Sequence, residues 1–294
     1  MCTVCGCDEG ESRIEGNKLA HHSHSHDREY DHEHSHAHND QTLHYGHGPA
    51  HAHAPEMNQS RMVKIEQDIL GKNNEYANAN RNLFASKEML VLNLVSSPGS
   101  GKTTLLTRTL QDIKDEISLA VIEGDQETSQ DADRIRETGV PAIQINTGKG
   151  CHLDAHQVGH AVEHLSPQNA SVLMIENVGN LVCPAAFDLG EAHKVAILSI
   201  TEGEDKPIKY PDMFHAADLL LLNKIDLLPH LNFDIDKCIE YAQRVNPGIH
   251  ILKVSATTGT GMSDWYQWIR LALQTRLIGH PSKIQTIKVV SESF

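Results

Sequence analysis

The chain has 294 residues, 39% of them hydrophobic, and a formal charge of −14; this suits one sizeable α/β domain or two small ones and counts against nucleic acid as the main partner. No apolar run approaches the roughly 18 residues that a membrane span needs, and the start Met1-Cys2-Thr3-Val4-Cys5-Gly6-Cys7 has neither the basic nor the apolar region of a signal peptide. Six cysteines in a chain this long do not make a disulfide scaffold, so a reducing cytoplasmic setting with thiols available for metal is expected.

Residues 1–56 read as a tail. With three cysteines, twelve of the 21 histidines and almost no periodic apolar residues, they cannot bury enough surface to offset ordering entropy, and disorder without metal is expected. Cys2, Cys5 and Cys7, beside a free α-amine, can wrap one ion with four N/S donors. Such a set suits square-planar Ni²⁺ or tetrahedral Zn²⁺, and the sequence does not choose. Unligated, these thiols would invite oxidation. Next come His21-His22-Ser23-His24-Ser25-His26 and His32-Glu33-His34-Ser35-His36-Ala37-His38. Mostly neutral imidazoles there offer many weak, exchangeable metal sites, a storage or buffering pattern. A solvated low-complexity linker is the plain alternative. Residues 57–88 are polar and helix-compatible, with an imperfect apolar stripe of Met62, Ile65, Ile69, Tyr76 and Phe84.

From Met89 onward, apolar β-branched runs alternate with helical stretches. Strands are expected at 90–95, 119–122, 142–145, 172–175, 195–200, 219–222 and 251–254, and helices at 103–115, 130–138, 153–165, 236–245 and 262–277. Seven buried strands interleaved with helices predict an α/β domain over 89–278, a mostly parallel sheet flanked by helices on both faces. Residues 279–294 read as a loose extension.

The first expected strand runs into Ser96-Ser97-Pro98-Gly99-Ser100-Gly101-Lys102-Thr103-Thr104. This is nearly the P-loop pattern in its strand–loop–helix context, with Ser96 where the pattern has its first glycine. Gly99 and Gly101 let backbone N–H groups face phosphates. Lys102 would hold the β- and γ-phosphates, Thr103 would ligate Mg²⁺, and Ser100 and Thr104 complete the phosphate-binding set. Acids follow two more strands: Glu123-Gly124-Asp125 and Glu176-Asn177. Strand C-termini line the ligand crevice of open α/β sheets, so Asp125 and Glu176 are the Mg²⁺ and water-orienting candidates, catalytic together with Lys102. Either acid could instead cap a helix or turn. No arginine finger or catalytic glutamine is identifiable, and slow intrinsic hydrolysis is expected.

Gly150-Cys151-His152 follows the third strand at an expected helix start, and Cys183 lies seven residues beyond Glu176. Both loops fall on the nucleotide side of the sheet. A thiolate near a helix N-terminus deprotonates easily and ligates well. Three ligands leave one position for exchange or for a symmetry mate; small buried cysteines with a capping histidine are the alternative. Cys238 is expected in the core, and His156, His160 and His164 are expected to be exposed rather than ligands. Asn223-Lys224-Ile225-Asp226 closes a strand. A carboxylate there can accept both N1–H and the exocyclic amine of guanine, an arrangement that adenine lacks. Ser255-Ala256 resembles the loop whose backbone N–H meets guanine O6.

The N-terminal cysteine motif, the P-loop at 96–104, Glu123-Gly124-Asp125-Gln126, the run from Asn146 to Asp154, the run from Glu176 to Pro184, Thr201-Glu202-Gly203-Glu204-Asp205-Lys206-Pro207 and Asn223-Lys224-Ile225-Asp226 together resemble the HypB family. These are nickel-incorporation accessory GTPases of NiFe-hydrogenase maturation, and the likeness covers about 57–278 plus the first seven residues. It implies a P-loop GTPase that dimerises around nucleotide and binds GTP and Mg²⁺. It also implies a Ni²⁺ or Zn²⁺ site at Cys151, His152 and Cys183, shared across a dimer or not, and a tighter Ni²⁺ site at Cys2, Cys5 and Cys7. The implied partners are a nickel-binding co-chaperone and the hydrogenase large-subunit precursor; charge and the lack of a long apolar run already set aside nucleic acid and membrane. The expected function is GTP-dependent nickel delivery with storage by the tail. The alternatives are a nickel or zinc storage protein whose GTPase is secondary, and a related GTPase serving urease or a cobalamin enzyme.

Overall fold

The computed structural model describes residues 59–125, 130–148 and 150–278. The cysteine motif, the histidine tract and the C-terminal extension all lie outside the described residues. The chain divides into units 1–66 and 67–294; of the first, only the helical 59–66 is described.

In chain order the elements are α1 (Gln59–Ser86), β1 (Leu90–Ser96), α2 (Lys102–Ile113), β2 (Leu119–Asp125), α3 (Gln130–Arg136) and β3 (Ala142–Asn146). They continue with α4 (Ala155–Leu165), β4 (Val172–Glu176), α5 (Cys183–Ala186), β5 (His193–Ser199), α6 (Lys206–Lys209) and α7 (Pro211–Ala216). Last come β6 (Leu219–Asn223), a 3-10 turn (Ile225–His230), α8 (Ile235–Val245), β7 (His250–Lys253) and α9 (Met262–Leu277). All seven expected strands form. They order as β3-β2-β4-β1-β5-β6-β7, and every pairing is parallel. The sheet is thus wholly parallel where a mostly parallel one was expected, because each strand-to-strand connection crosses over through helix.

β1 shows how the sheet is clothed. Leu90, Leu92 and Leu94 pack with Leu105, Leu106 and Leu110 of α2 and with Trp265 and Ile269 of α9. On the opposite face Val91 joins Phe84 of α1 and Val158 and Val162 of α4, and Val95 joins Met213, Phe214, Cys238 and Ala242. Alternate side chains of one strand therefore feed two helical layers, which is why the run is apolar but for Asn93 and Ser96. The fully buried Trp265 donates its indole N–H to Thr109 Oγ1 at 3.0 Å, as a buried indole must.

The differences from expectation are local. Helix α4 starts at Ala155, two residues later than expected, because Asp154 caps it: Gln157 N donates to Asp154 Oδ1 at 2.8 Å, and Asp154 N donates to Gln157 Oε1 at 3.1 Å. Leu153 is buried in the core ahead of that cap. The short helices α5, α6 and α7 each begin with a proline in their first two positions. At four to six residues they are too brief to show a helical period. Among the described residues no helix is long and apolar enough to cross a membrane.

Candidate functional site

The P-loop joins the end of β1, where the chain order around the sheet reverses, to the start of α2. Gly99 and Gly101 have φ of 76° and 86°, a left-handed backbone that glycine adopts without strain. A Cβ on Gly101 would also lie 2.8 Å from Asn223 Nδ2. Behind the loop, Ser97 Oγ and Ser100 Oγ are buried hydroxyls with no hydrogen-bond partner, so the loop holds polar capacity that phosphate oxygens can use. Thr104, one turn in, is exposed.

The segment Asn223-Lys224-Ile225-Asp226 is fastened to this loop. Asn223 Nδ2 donates to Ser100 O at 3.0 Å and Ala256 N donates to Asn223 Oδ1 at 3.4 Å. Lys224 reaches across to Gly99 O with its Nζ at 2.7 Å. Ser255 Oγ donates to Asp226 Oδ1 at 2.6 Å, which fixes the carboxylate plane while Oδ2 keeps its lone pairs. One bonded assembly thus contains Gly99, Ser100, Asn223, Lys224 and Ala256, with Asp226 aligned beside it.

Glu176 ends β4 and is 2% exposed. Its Oε1 accepts from Lys102 Nζ at 3.0 Å and from Thr103 Oγ1 at 2.6 Å. The structure therefore brings the expected Lys102, Thr103 and Glu176 together. Two further acids join them. Asp131 Oδ2 lies 3.2 Å from Thr103 Oγ1, and Glu123 stands beside Glu176 on the neighbouring strand. Burial, then the carboxylates of Glu176 and Asp125, push the Glu123 carboxyl up to about 8. Asp125 ends β2, and its carbonyl accepts from Thr147 N at 2.9 Å. Glu123 Oε2 and Glu176 Oε2 are buried without a hydrogen-bond partner. Carboxylate oxygens of this kind beside a threonine hydroxyl fit a hard divalent cation such as Mg²⁺.

Cys151, His152 and Cys183 also converge, their ligand atoms all within 4.8 Å of one another. The two Sγ atoms are 3.1 Å apart and Cys151 Sγ is 3.6 Å from His152 Nδ1. The His152 ring rests on Phe187, centroids 3.9 Å apart. Burial holds the His152 pKa below its ordinary value, which favours the neutral, metal-binding imidazole. Two thiols and an imidazole suit Ni²⁺ or Zn²⁺. Cys238 is fully buried and burial pushes its thiol up to about 12, so it is a core residue, as expected.

What holds the loops of Cys151, His152 and Cys183 is a buried polar chain. Leu153 N, next to His152, donates to Asn177 Oδ1 at 3.0 Å, and Asn177 immediately follows Glu176. Asn177 Nδ2 donates to Asn93 Oδ1 at 3.2 Å, and Asn93 Nδ2 to Glu191 Oε1 at 3.0 Å. Lys194 Nζ lies 3.8 Å from the same oxygen. It donates to Pro184 O, Ala185 O and Phe187 O at 2.8, 3.2 and 3.4 Å, tying down the residues after Cys183. From α1, Asn73 Oδ1 accepts from Ala155 N at 2.9 Å and Asn73 Nδ2 donates to Asp188 O at 2.7 Å. Asn80 Nδ2 donates to Ala155 O at 2.7 Å and to Leu189 O at 3.0 Å. Sequence reasoning missed Asn73, Asn80, Asn93, Asn177 and Lys194. Their one signal is polarity at otherwise apolar, buried positions.

A cavity of about 850 Å³ opens at the opposite end of the sheet, lined in part by Leu90, His193, Asp218, His250 and Trp268. It contains none of the motif residues, and ligands of open parallel sheets bind at strand C-termini, where the two clusters lie.

The family described as CobW/HypB/UreG, nucleotide-binding domain, matches residues 90–253. Hydrogenase maturation factor HypB of Azotobacter vinelandii is 63% identical over 285 residues, covering 94% of each chain. The crystal structure of HypB from Archaeoglobus fulgidus has a TM-score of 0.65 at 37% identity, covering 69% of this chain and 99% of that one. HypB from Helicobacter pylori, crystallised in complex with nickel, has a TM-score of 0.65 at 38% identity and covers 69% of this chain and 96% of its own.

Proposed function

The chain belongs to the CobW/HypB/UreG family as a HypB-type hydrogenase maturation factor, and from that premise we propose that it is a GTP-hydrolysing nickel metallochaperone. It delivers Ni²⁺ toward the hydrogenase large-subunit precursor, with the histidine tract as store, and works in the cytoplasm as a homodimer formed with GTP or metal and with a nickel-binding co-chaperone. Asp226 reads guanine, Lys102 holds the β- and γ-phosphates, and Thr103 with Glu176 and Asp125 holds Mg²⁺. Bound there, Mg²⁺ neutralises charge on the β- and γ-oxygens. Cys151, His152 and Cys183 carry the cargo Ni²⁺, or Zn²⁺ in its place.

One observation carries this reading: Glu176, which holds Lys102 and Thr103, adjoins Asn177, which holds the backbone beside His152. When a triphosphate enters, Lys102 exchanges Glu176 for phosphate oxygens. Glu176 is then released to shift, and Asn177 carries that shift to Leu153. Coordination distances tolerate only about 0.2 Å of error, so nucleotide state alters metal affinity. A coupling of about 1–3 kcal/mol, or roughly 5- to 150-fold, is typical. Ni²⁺ titration of the full chain with GDP and with a non-hydrolysable GTP analogue should differ by that factor in the component of binding lost in Cys183→Ala. Equal constants in the two states would overturn the reading. Twelve histidines within 21–53 favour a second reading, storage with a secondary GTPase. In that case Lys102→Ala would leave nickel supply to the precursor intact.

A further inference from the structure

Helix α4 carries His156, His160 and His164 at four-residue intervals, so they form one stripe along its surface. All three are exposed. The opposite stripe is locked: Val158 and Val162 are in the core, Asp154 and Gln157 cap the first turn, and a Cβ on Gly159 would lie 2.8 Å from Asn80 Oδ1. The rings of His156 and His160 meet with centroids 4.4 Å apart and planes inclined at 48°. On the other side Tyr76 of α1 packs against His156, its centroid 4.7 Å away. Tyr76 stands one turn before Asn80, which is itself bonded to the first residue of α4. The helix is therefore fixed, and one imidazole is buttressed against its neighbour.

Two imidazoles four residues apart on one helix face are an arrangement that holds Zn²⁺ on helices, and imidazole nitrogen suits Ni²⁺ and Cu²⁺ as well. We propose that His156 and His160 form a second metal site, a two-imidazole surface chelate for a borderline divalent cation, separate from Cys151, His152 and Cys183. Two protein ligands leave the remaining positions to water, so ions exchange here readily. The site does not depend on the metallochaperone reading: it would exist in a storage protein too.

The experiment is residue-resolved footprinting of the full chain. Histidines are acylated with diethyl pyrocarbonate while NiCl₂ or ZnCl₂ is titrated, and fragment masses separate each residue of α4 from the tail. His156 and His160 should lose reactivity together, over one metal range, while His164 stays reactive. In His160→Gln, His156 should regain its reactivity in the presence of metal while His152 remains protected; His164→Gln should change nothing. His156 and His160 that stay reactive up to the end of the titration, at metal levels well beyond those that protect His152, would overturn the proposal. So would protection of His156 that survives His160→Gln or disappears in His164→Gln.

Discussion

The phosphate-and-base loops and the Cys151–Cys183 loops lie at the same end of one parallel sheet, yet they are held by different kinds of contact. In the first, the residues that would touch the ligand also hold one another: Asn223 to Ser100, Lys224 to Gly99, Ser255 to Asp226. In the second, the candidate ligands lean on residues that were given no role in the sequence: Lys194, Asn73 and Asn80, outside every motif, and Asn177, within the run from Glu176 to Pro184. A self-bracing site keeps its geometry wherever its motif is kept. An externally braced site can lose its geometry while every ligand is still present.

Changes at three positions test that contrast. The largest effect is expected for Lys102→Ala, which removes the ammonium from the phosphate site and from Glu176. GTP turnover should fall by about 10²–10³-fold, the usual cost of one preorganised donor, measured as phosphate release. Ni²⁺ binding at the cysteine loops should persist. Turnover that stays close to that of the parent would break the first half of the comparison.

Asn177→Ala comes next. It strips Leu153 N and Val178 N of their acceptor without touching a ligand. Groups that orient metal ligands typically account for about 10–100-fold in affinity, and a Ni²⁺ titration should show a loss in that range. Asn177→Asp keeps the acceptor and loses only the donor to Asn93, so its loss should be smaller. Unchanged affinity in both variants would mean that the ligand loops brace themselves after all.

The third test concerns Glu123 and is read in stability rather than in binding or turnover. With its carboxyl raised from 4.5 to about 8, the folded chain keeps a proton that the unfolded chain releases. The associated stability is fully present below about pH 4.5 and is lost as pH rises through about 8. Glu123→Gln abolishes that loss. In nucleotide-free, metal-free protein, the gain in Tm of the variant over the parent should grow from pH 5 to pH 8 and then level. A domain of this size moves roughly 2–4 °C per kcal/mol. A pH-independent difference would show Glu123 ionised at neutral pH and the acidic cluster more solvated than its burial implies.

The strands were legible because a strand buried on both faces must be apolar throughout, and β1, β4 and β6 are nearly so. Helices α5 to α7 were not, since a run of four to six residues holds fewer than two full turns and leaves no room for an apolar stripe to recur. Leu153 misled the reading of α4 because its apolar side chain extends the helical pattern past the Asp154 cap. In the site, Lys102 and Thr103 were legible from the P-loop pattern and Glu176 from its place at a strand end, whereas the Cys-His-Cys cluster stood out only through the family resemblance, since spacing alone left buried cysteines with a capping histidine open. Glu123 lay in plain view beside Asp125, an acid inside an apolar strand, but only the register with Glu176 makes it a neighbour. Asn73 and Asn80 act across 82 and 75 positions of sequence, and no local pattern reports such a partner.

The polar chain from Leu153 through Asn177, Asn93 and Glu191 to Lys194 also bears on how this protein can change. Within a low-dielectric interior, replacing one member strands the donor or acceptor of the next. Replacing two adjacent members by apolar groups of matching shape removes the donor and its acceptor together, at a cost below the sum of the single changes. Substitution at the four side-chain members, Asn177, Asn93, Glu191 and Lys194, is therefore expected to be concerted, with a chain altered at one of them less stable than a chain altered at two neighbours, whereas Leu153 contributes only its backbone N–H and is free of that constraint.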